Sequence, residues 1–147
     1  MIKTTGIMLL ILFAGIAFAQ TSNLQIMDFN VSPESILNKD TTVSSTMNRL
    51  IIRFKCSDFS NAASAYLLFG SSPDSSDVST VPINISATNN SYKLSLNGKD
   101  FPLENRWEGR VDVLIAKLDY QRVYYITLYL MDKTGATTNH VNRRVKQ

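Results

Sequence analysis

Val123–Asn139 reads VYYITLYLMDKTGATTN. Tyr124, Ile126, Leu128 and Leu130 alternate with Tyr125, Thr127, Tyr129 and Met131. A period of two in β-branched and aromatic residues predicts a strand. Asp132-Lys133-Thr134-Gly135 ends the run as a turn, because Gly135 can take the left-handed conformation cheaply. Ala136–Val145 follows as a weaker, polar strand. Strand, D-x-x-G turn and strand read as the last hairpin of a small β-sandwich.

Working back from this hairpin, the other segments repeat its pattern. Leu24–Val31 predicts a first strand, ended by Ser32-Pro33, and Glu34–Ser45 reads as a loop. Asn48–Phe59 (NRLIIRFKCSDF) predicts a second. Leu50, Ile52, Phe54 and Cys56 share one face of it and Arg49, Arg53 and Lys55 the other, the core-and-water alternation of an antiparallel sheet. Ala65–Gly70 is a third strand. Ser71–Thr80 is a Ser/Asp loop. Val81–Ala87 and Ser91–Leu96 flank Asn89-Asn90, a hairpin turn signal, and Asn97-Gly98 ends the second arm. Asp100–Gly109 reads as an irregular stretch. Arg110–Leu118 is a further strand, with Val111, Val113 and Ile115 on one face. Asp119–Arg122 links it to the hairpin. About eight short strands with turn signals between them predict an all-β antiparallel sandwich.

The start of the chain reads differently. Lys3 carries the only charge before Asp28, an apolar run spans Ile7–Phe18, and Ala17-Phe18-Ala19 is an A-x-A cleavage site. These are the three parts of a secretory signal peptide. Residues 1–19 are therefore expected to be removed, leaving 147 − 19 = 128 residues as one domain, 20–147. The apolar run is short for a bilayer span, so no stable membrane anchor is expected after cleavage. The Phe18-Ala19-Gln20 junction resembles that of exported proteins of Bacteroidetes-type bacteria. The expected location is the periplasm, the cell surface or the medium. The formal charge is +3, with scattered basic residues, which argues against nucleic acid as a partner.

The pair RVDVLIAKLDYQR and VYYITLYLMDKTGATTN resembles the later strands of bacterial immunoglobulin-like or fibronectin type III-like domains. The resemblance implies an immunoglobulin-like sandwich of seven to eight strands. It makes Tyr124 the residue that closes the corner between the sheets by hydrogen bonding to upstream backbone. It implies little about function, because such sandwiches carry unrelated activities. Ile126 stands where an antibody-type domain has a Cys. Cys56 is the single cysteine, so no intrachain disulfide can form, and its place on the Leu50 face predicts a buried thiol.

The chemistry-bearing residues are few. His140 is the only histidine, in a polar strand where exposure is expected. Cys56 and His140 together cannot supply a zinc site, and a core-face thiol is shielded from nucleophilic work. Neither a G-x-x-x-x-G-K-[ST] loop nor G-x-G-x-x-G occurs. Asp74 and Asp77 lack the spacing of a calcium loop, and their segment reads as flexible and solvated. No cofactor, metal or catalytic residue is expected, and the chain reads as non-enzymatic. The binding candidates are Trp107 and Arg106 in FPLENRWEGR, and Tyr125 and Tyr129, with Tyr92, as an outward aromatic stripe. Trp107 admits three roles: a plug folded under its own loop, a protein contact, or a stacking platform for sugar. The expected function is an interaction module for a protein or glycan at the cell surface. The alternatives are a small carbohydrate-binding module using Trp107 and a structural subunit that pairs through an edge strand.

Overall fold

A computed structural model describes residues 22–32, 49–88, 91–103, 105–114 and 122–145. The expected signal peptide, the loop at Glu34–Ser45, the Asn89-Asn90 turn and the distal half of the Arg110–Leu118 strand lie outside these residues.

The described chain forms nine strands, one more than the sequence predicts. They are β1 (Ile26–Ser32), β2 (Arg49–Cys56), β3 (Ala62–Gly70), β4 (Ser79–Thr88), β5 (Ser91–Leu96), β6 (Lys99–Pro102), β7 (Glu108–Leu114), β8 (Tyr125–Asp132) and β9 (Val141–Arg144). A 3-10 turn, Phe59–Asn61, lies between β2 and β3. Two antiparallel sheets result, one ordered β1-β2-β7 and the other β6-β5-β4-β3-β8-β9. The fold is therefore an all-β sandwich. No helix among the described residues is long and apolar enough to cross a membrane.

Alternation places the core. Leu50, Ile52 and Phe54 of β2 and Val111 and Val113 of β7 face Leu67, Phe69, Ile83, Leu94, Ile126 and Leu128 of the larger sheet, all buried. Each large apolar side chain taken from water contributes about 1.5–3 kcal/mol, so packing can hold the sandwich without a disulfide. Cys56 is fully buried in this core, and burial pushes its thiol up to about 12.

Three local features depart from the sequence reading. Asp100–Gly109 is not irregular throughout. Lys99–Pro102 forms β6 against β5, and Glu108-Gly109 opens β7. The reason is Asn97-Gly98, which begins a hairpin where the sequence reading ends an arm. Leu96 pairs with Lys99 across it, and both turn residues have positive φ, 50° and 79°. That is the backbone twist that tight hairpins need and that Asn-Gly supplies. The last strand is also shorter than expected. Thr137 makes a lone bridge to Met131, and regular pairing resumes at Val141. Finally, Tyr92 does not join an outward stripe, because it is buried in the core.

The D-x-x-G turn forms as predicted, with Gly135 at φ 89°. One carboxylate oxygen of Asp132 accepts the amides of Thr134 (2.8 Å) and Ala136 (3.0 Å), and the other accepts the hydroxyl of Ser22 (2.6 Å). Ser22 first, and then Thr134, hold the Asp132 carboxyl down at about 2. The turn thus clamps the start of the described chain to the end of β8.

Candidate functional site

The four candidate residues fall into two groups on different sheets. Arg106 and Trp107 lie on a bend just before β7 of the small sheet. Tyr125 and Tyr129 lie on the outer face of β8 in the large sheet, which points away from the small one. A single small ligand cannot touch both groups.

Asn105 builds the bend. Its side-chain oxygen accepts the amides of Trp107 (3.1 Å) and Glu108 (2.8 Å). The carbonyl of Arg106 accepts the Phe59 amide (2.7 Å), and that of Trp107 accepts the Cys56 amide (2.8 Å). The Arg106 guanidinium donates to Asp58 (2.8 Å). The Ser60 amide first, and also Arg106, hold the Asp58 carboxyl below its usual range. The backbone and the Arg106 side chain are thereby fixed, and Trp107 is left 51% exposed. Trp107 is not a plug under its own loop. The bend is anchored at its backbone by Asn105, Phe59 and Cys56.

Tyr129 behaves differently. Its ring lies between those of Tyr66 and His140, at centroid distances of 5.0 and 4.6 Å and interplanar angles of 16° and 12°. Both faces of Tyr129 are occupied by neighbouring rings, so it offers no stacking platform. Burial first, and then Tyr66, raise its phenol. His140 is exposed, as expected, and its Nδ1 lies 3.1 Å from Asp74. Asp74 in turn donates its amide to the buried Thr127 Oγ1 (3.1 Å). Tyr125 is half-buried on the same face. Tyr124, the corner residue of the resemblance, is 41% exposed, and its amide donates to the Gly70 carbonyl (2.9 Å).

The Ser/Asp loop is tied down rather than free. Asp77 accepts the Ser71 hydroxyl (2.7 Å), the Ser71 amide (2.9 Å) and the Ser75 hydroxyl (2.8 Å). Those bonds, Ser71 first, hold its carboxyl at about 2. Asp74 and Asp77 therefore serve different partners. Among the described residues no three of His, Cys, Asp and Glu converge on a metal-sized site.

Sequence reading passed over two clefts, both along β7. The first, of about 480 Å³, runs from the outer face of the small sheet to Pro102, Leu103 and Asn105, and its wall carries Arg53, Lys55 and Arg110. The second, of about 450 Å³, lies between β6 and the far half of β7, floored by Val81, Leu96, Phe101 and Val113. Both border the flank where the free edges of β6 and β7 meet. Asn105 and Glu108, on either side of Trp107 in sequence, line the first cleft. The wet face of β2 and Arg110 were legible in the sequence. Their convergence was not, because it depends on the pairing of strands some fifty residues apart.

Comparison with protein-family models, with curated proteins and with solved structures finds no match for this chain.

Proposed function

We propose that the protein is an exported, non-enzymatic interaction module that uses the β6/β7 flank to hold a protein or another surface component. One observation carries the reading: an exposed indole, Trp107, on a hydrogen-bonded bend bordering an open cleft. Preorganised aromatic and Arg anchors are the groups that dominate binding energy at interfaces. The order β1-β2-β7 against β4-β3-β8-β9 supports the immunoglobulin-like resemblance. Cys56 is fully buried, which shields its thiol from nucleophilic work.

The test is site-specific photocrosslinking on whole cells. A photoreactive residue replacing Lys99 or Leu114, both exposed on this flank, should capture partners, and one replacing Tyr66 or Tyr129 should not. Capture from the Tyr66/Tyr129 face alone would overturn the reading.

A second reading, the carbohydrate-binding module, is favoured by the lining of the first cleft. Apolar Pro102 and Leu103 lie there beside amide and carboxylate side chains, the mixture that sugar rings and hydroxyls require. Pairing through an edge strand has less support. β1, at the chain start where pairing was expected, is held at its Ile26 edge by Asn139, and on the other flank β6 carries Pro102 and Lys99 while Asn105 holds the Glu108 amide. These are the guards that edge strands use against pairing.

A further inference from the structure

The registers of β1, β2 and β7 place Asn30, Arg53 and Arg110 in one row across the small sheet. Arg53 and Arg110 are directly opposite, and both side chains are exposed on the outer face. Like charges in opposed positions destabilise a sheet, so the pairing needs a reason.

The neighbouring row supplies the contrast. There Asp28, Lys55 and Glu108 alternate in sign. Lys55 and Glu108 pair at 3.0 Å, and Lys55 first, then Asn105, hold the Glu108 carboxyl below its usual range. Asp28 accepts its neighbour's amide at Phe29 (2.9 Å) and the Asn30 side chain (3.3 Å). Arg110 lines the cleft and reaches Asp112 only through Nε, at a long 3.4 Å. Arg53 has no carboxylate partner among the described residues. The cleft wall therefore carries one uncompensated guanidinium beside another that is weakly engaged.

We infer that this cleft binds an acidic sugar, a uronic acid unit of a glycan, with its carboxylate held between Arg53 and Arg110. The inference rests on the proposed use of the β6/β7 flank and names the class of its ligand. Guanidinium groups bind carboxylates through paired, charge-assisted hydrogen bonds. An anion between the two Arg side chains turns their repulsion into attraction. The remaining lining suits the rest of a pyranose. The amide of Asn30 can both donate and accept, that of Asn105 can donate, since its oxygen holds the bend, and the carboxylate of Asp28 accepts from a hydroxyl. Pro102 and Leu103 offer an apolar surface to the C–H face of a ring. The cleft volume of about 480 Å³ is of the size that holds small ligands. A peptide carboxylate would use the two Arg residues but has no hydroxyls for the acceptors around them.

The experiment is calorimetric titration of the mature protein with a galacturonate oligomer. Its methyl ester, which keeps the ring and loses the charge, and poly-L-glutamate, which keeps the charge and lacks the ring, are titrated in parallel. The oligomer should bind. The ester and poly-L-glutamate should each bind at least roughly tenfold more weakly, the loss expected when one charged hydrogen-bonding group is removed. Arg53→Gln and Arg110→Gln should each weaken the oligomer by a similar factor while leaving the melting temperature unchanged or raised, because each relieves a like-charge pair. Failure of the oligomer to bind would overturn the inference, as would binding that survives the double Arg variant. Equal binding of poly-L-glutamate would overturn the sugar assignment. If photocrosslinks at Lys99 or Leu114 persist while the oligomer fails, the ligand class is wrong and the flank is right. If both fail, the flank itself is wrong.

Discussion

The two flanks of the sandwich pose the same physical problem and solve it in opposite ways. On each, an edge strand of the small sheet meets an edge strand of the large one. At β1/β9 the gap is stitched. The Asn139 side chain accepts the Ile26 amide (2.9 Å) and donates to the Ile26 carbonyl (3.2 Å), doing for the edge of β1 what a paired strand would do. The Ser22 amide donates to the Thr137 carbonyl (3.2 Å), and Arg143 lies over the Phe29 ring at 5.9 Å. A cleft of about 170 Å³ remains. At β6/β7 the edges are guarded one at a time, by Pro102 and Lys99 on one strand and Asn105 on the other, and two clefts of about 480 and 450 Å³ stay open. Stitching removes an edge and its space together. Local guards remove the edge and keep the space, which is what a binding surface needs.

Substitutions should therefore act unequally on the two sides. The largest contrast is Phe29→Ala against Phe101→Ala. Phe29 is fully buried beside the stitched flank, and its loss should cost about 3–5 kcal/mol. Phe101 is half-exposed in the open cleft, and its loss should cost about 1 kcal/mol. Urea denaturation of both variants checks this, and equal costs would erase the distinction. Asn139→Ala comes next. It strands both backbone groups of Ile26 and should cost about 2 kcal/mol, with faster hydrogen exchange confined to β1.

Acid should also open the stitched side. Asp132, whose carboxyl sits at about 2, joins Ser22 to the β8–β9 turn. A carboxyl depressed in the folded state contributes stability that is fully present above its unfolded pKa of about 3.9 and is lost as pH falls toward 2. Melting temperature should fall across that window, and Asp132→Asn should flatten part of the fall. Asp77, also at about 2, contributes to the same window, so the single variant should not abolish it. The smallest effect belongs to Trp107→Ala, which should change stability by less than about 0.5 kcal/mol while removing partner capture.

The strand pattern was legible wherever one face is dry and one wet. Leu50, Ile52, Phe54 and Cys56 all point inward, as their alternation predicts. Tyr92 shares its parity with Leu94 and Leu96 in SYKLSL, so its inward side was also legible and was passed over. Register was illegible, because it is set between distant segments. Nothing in the local sequence brings Tyr66 opposite Tyr129, or Arg53 opposite Arg110. Asn97-Gly98 was a local signal, present in the sequence and read as an end instead of a hairpin. The exposure of Trp107 lies between these cases. It turns on one amide side chain, Asn105, that fixes the bend without help from the indole.

Trp107 is the only tryptophan, so its fluorescence reports on the open flank without interference from a second indole. The direct measurement is the emission maximum of the purified protein with acrylamide quenching. A red-shifted emission that acrylamide quenches readily is the predicted result. A blue-shifted, protected emission would mean that the indole is covered and the flank closed, and would contradict the account.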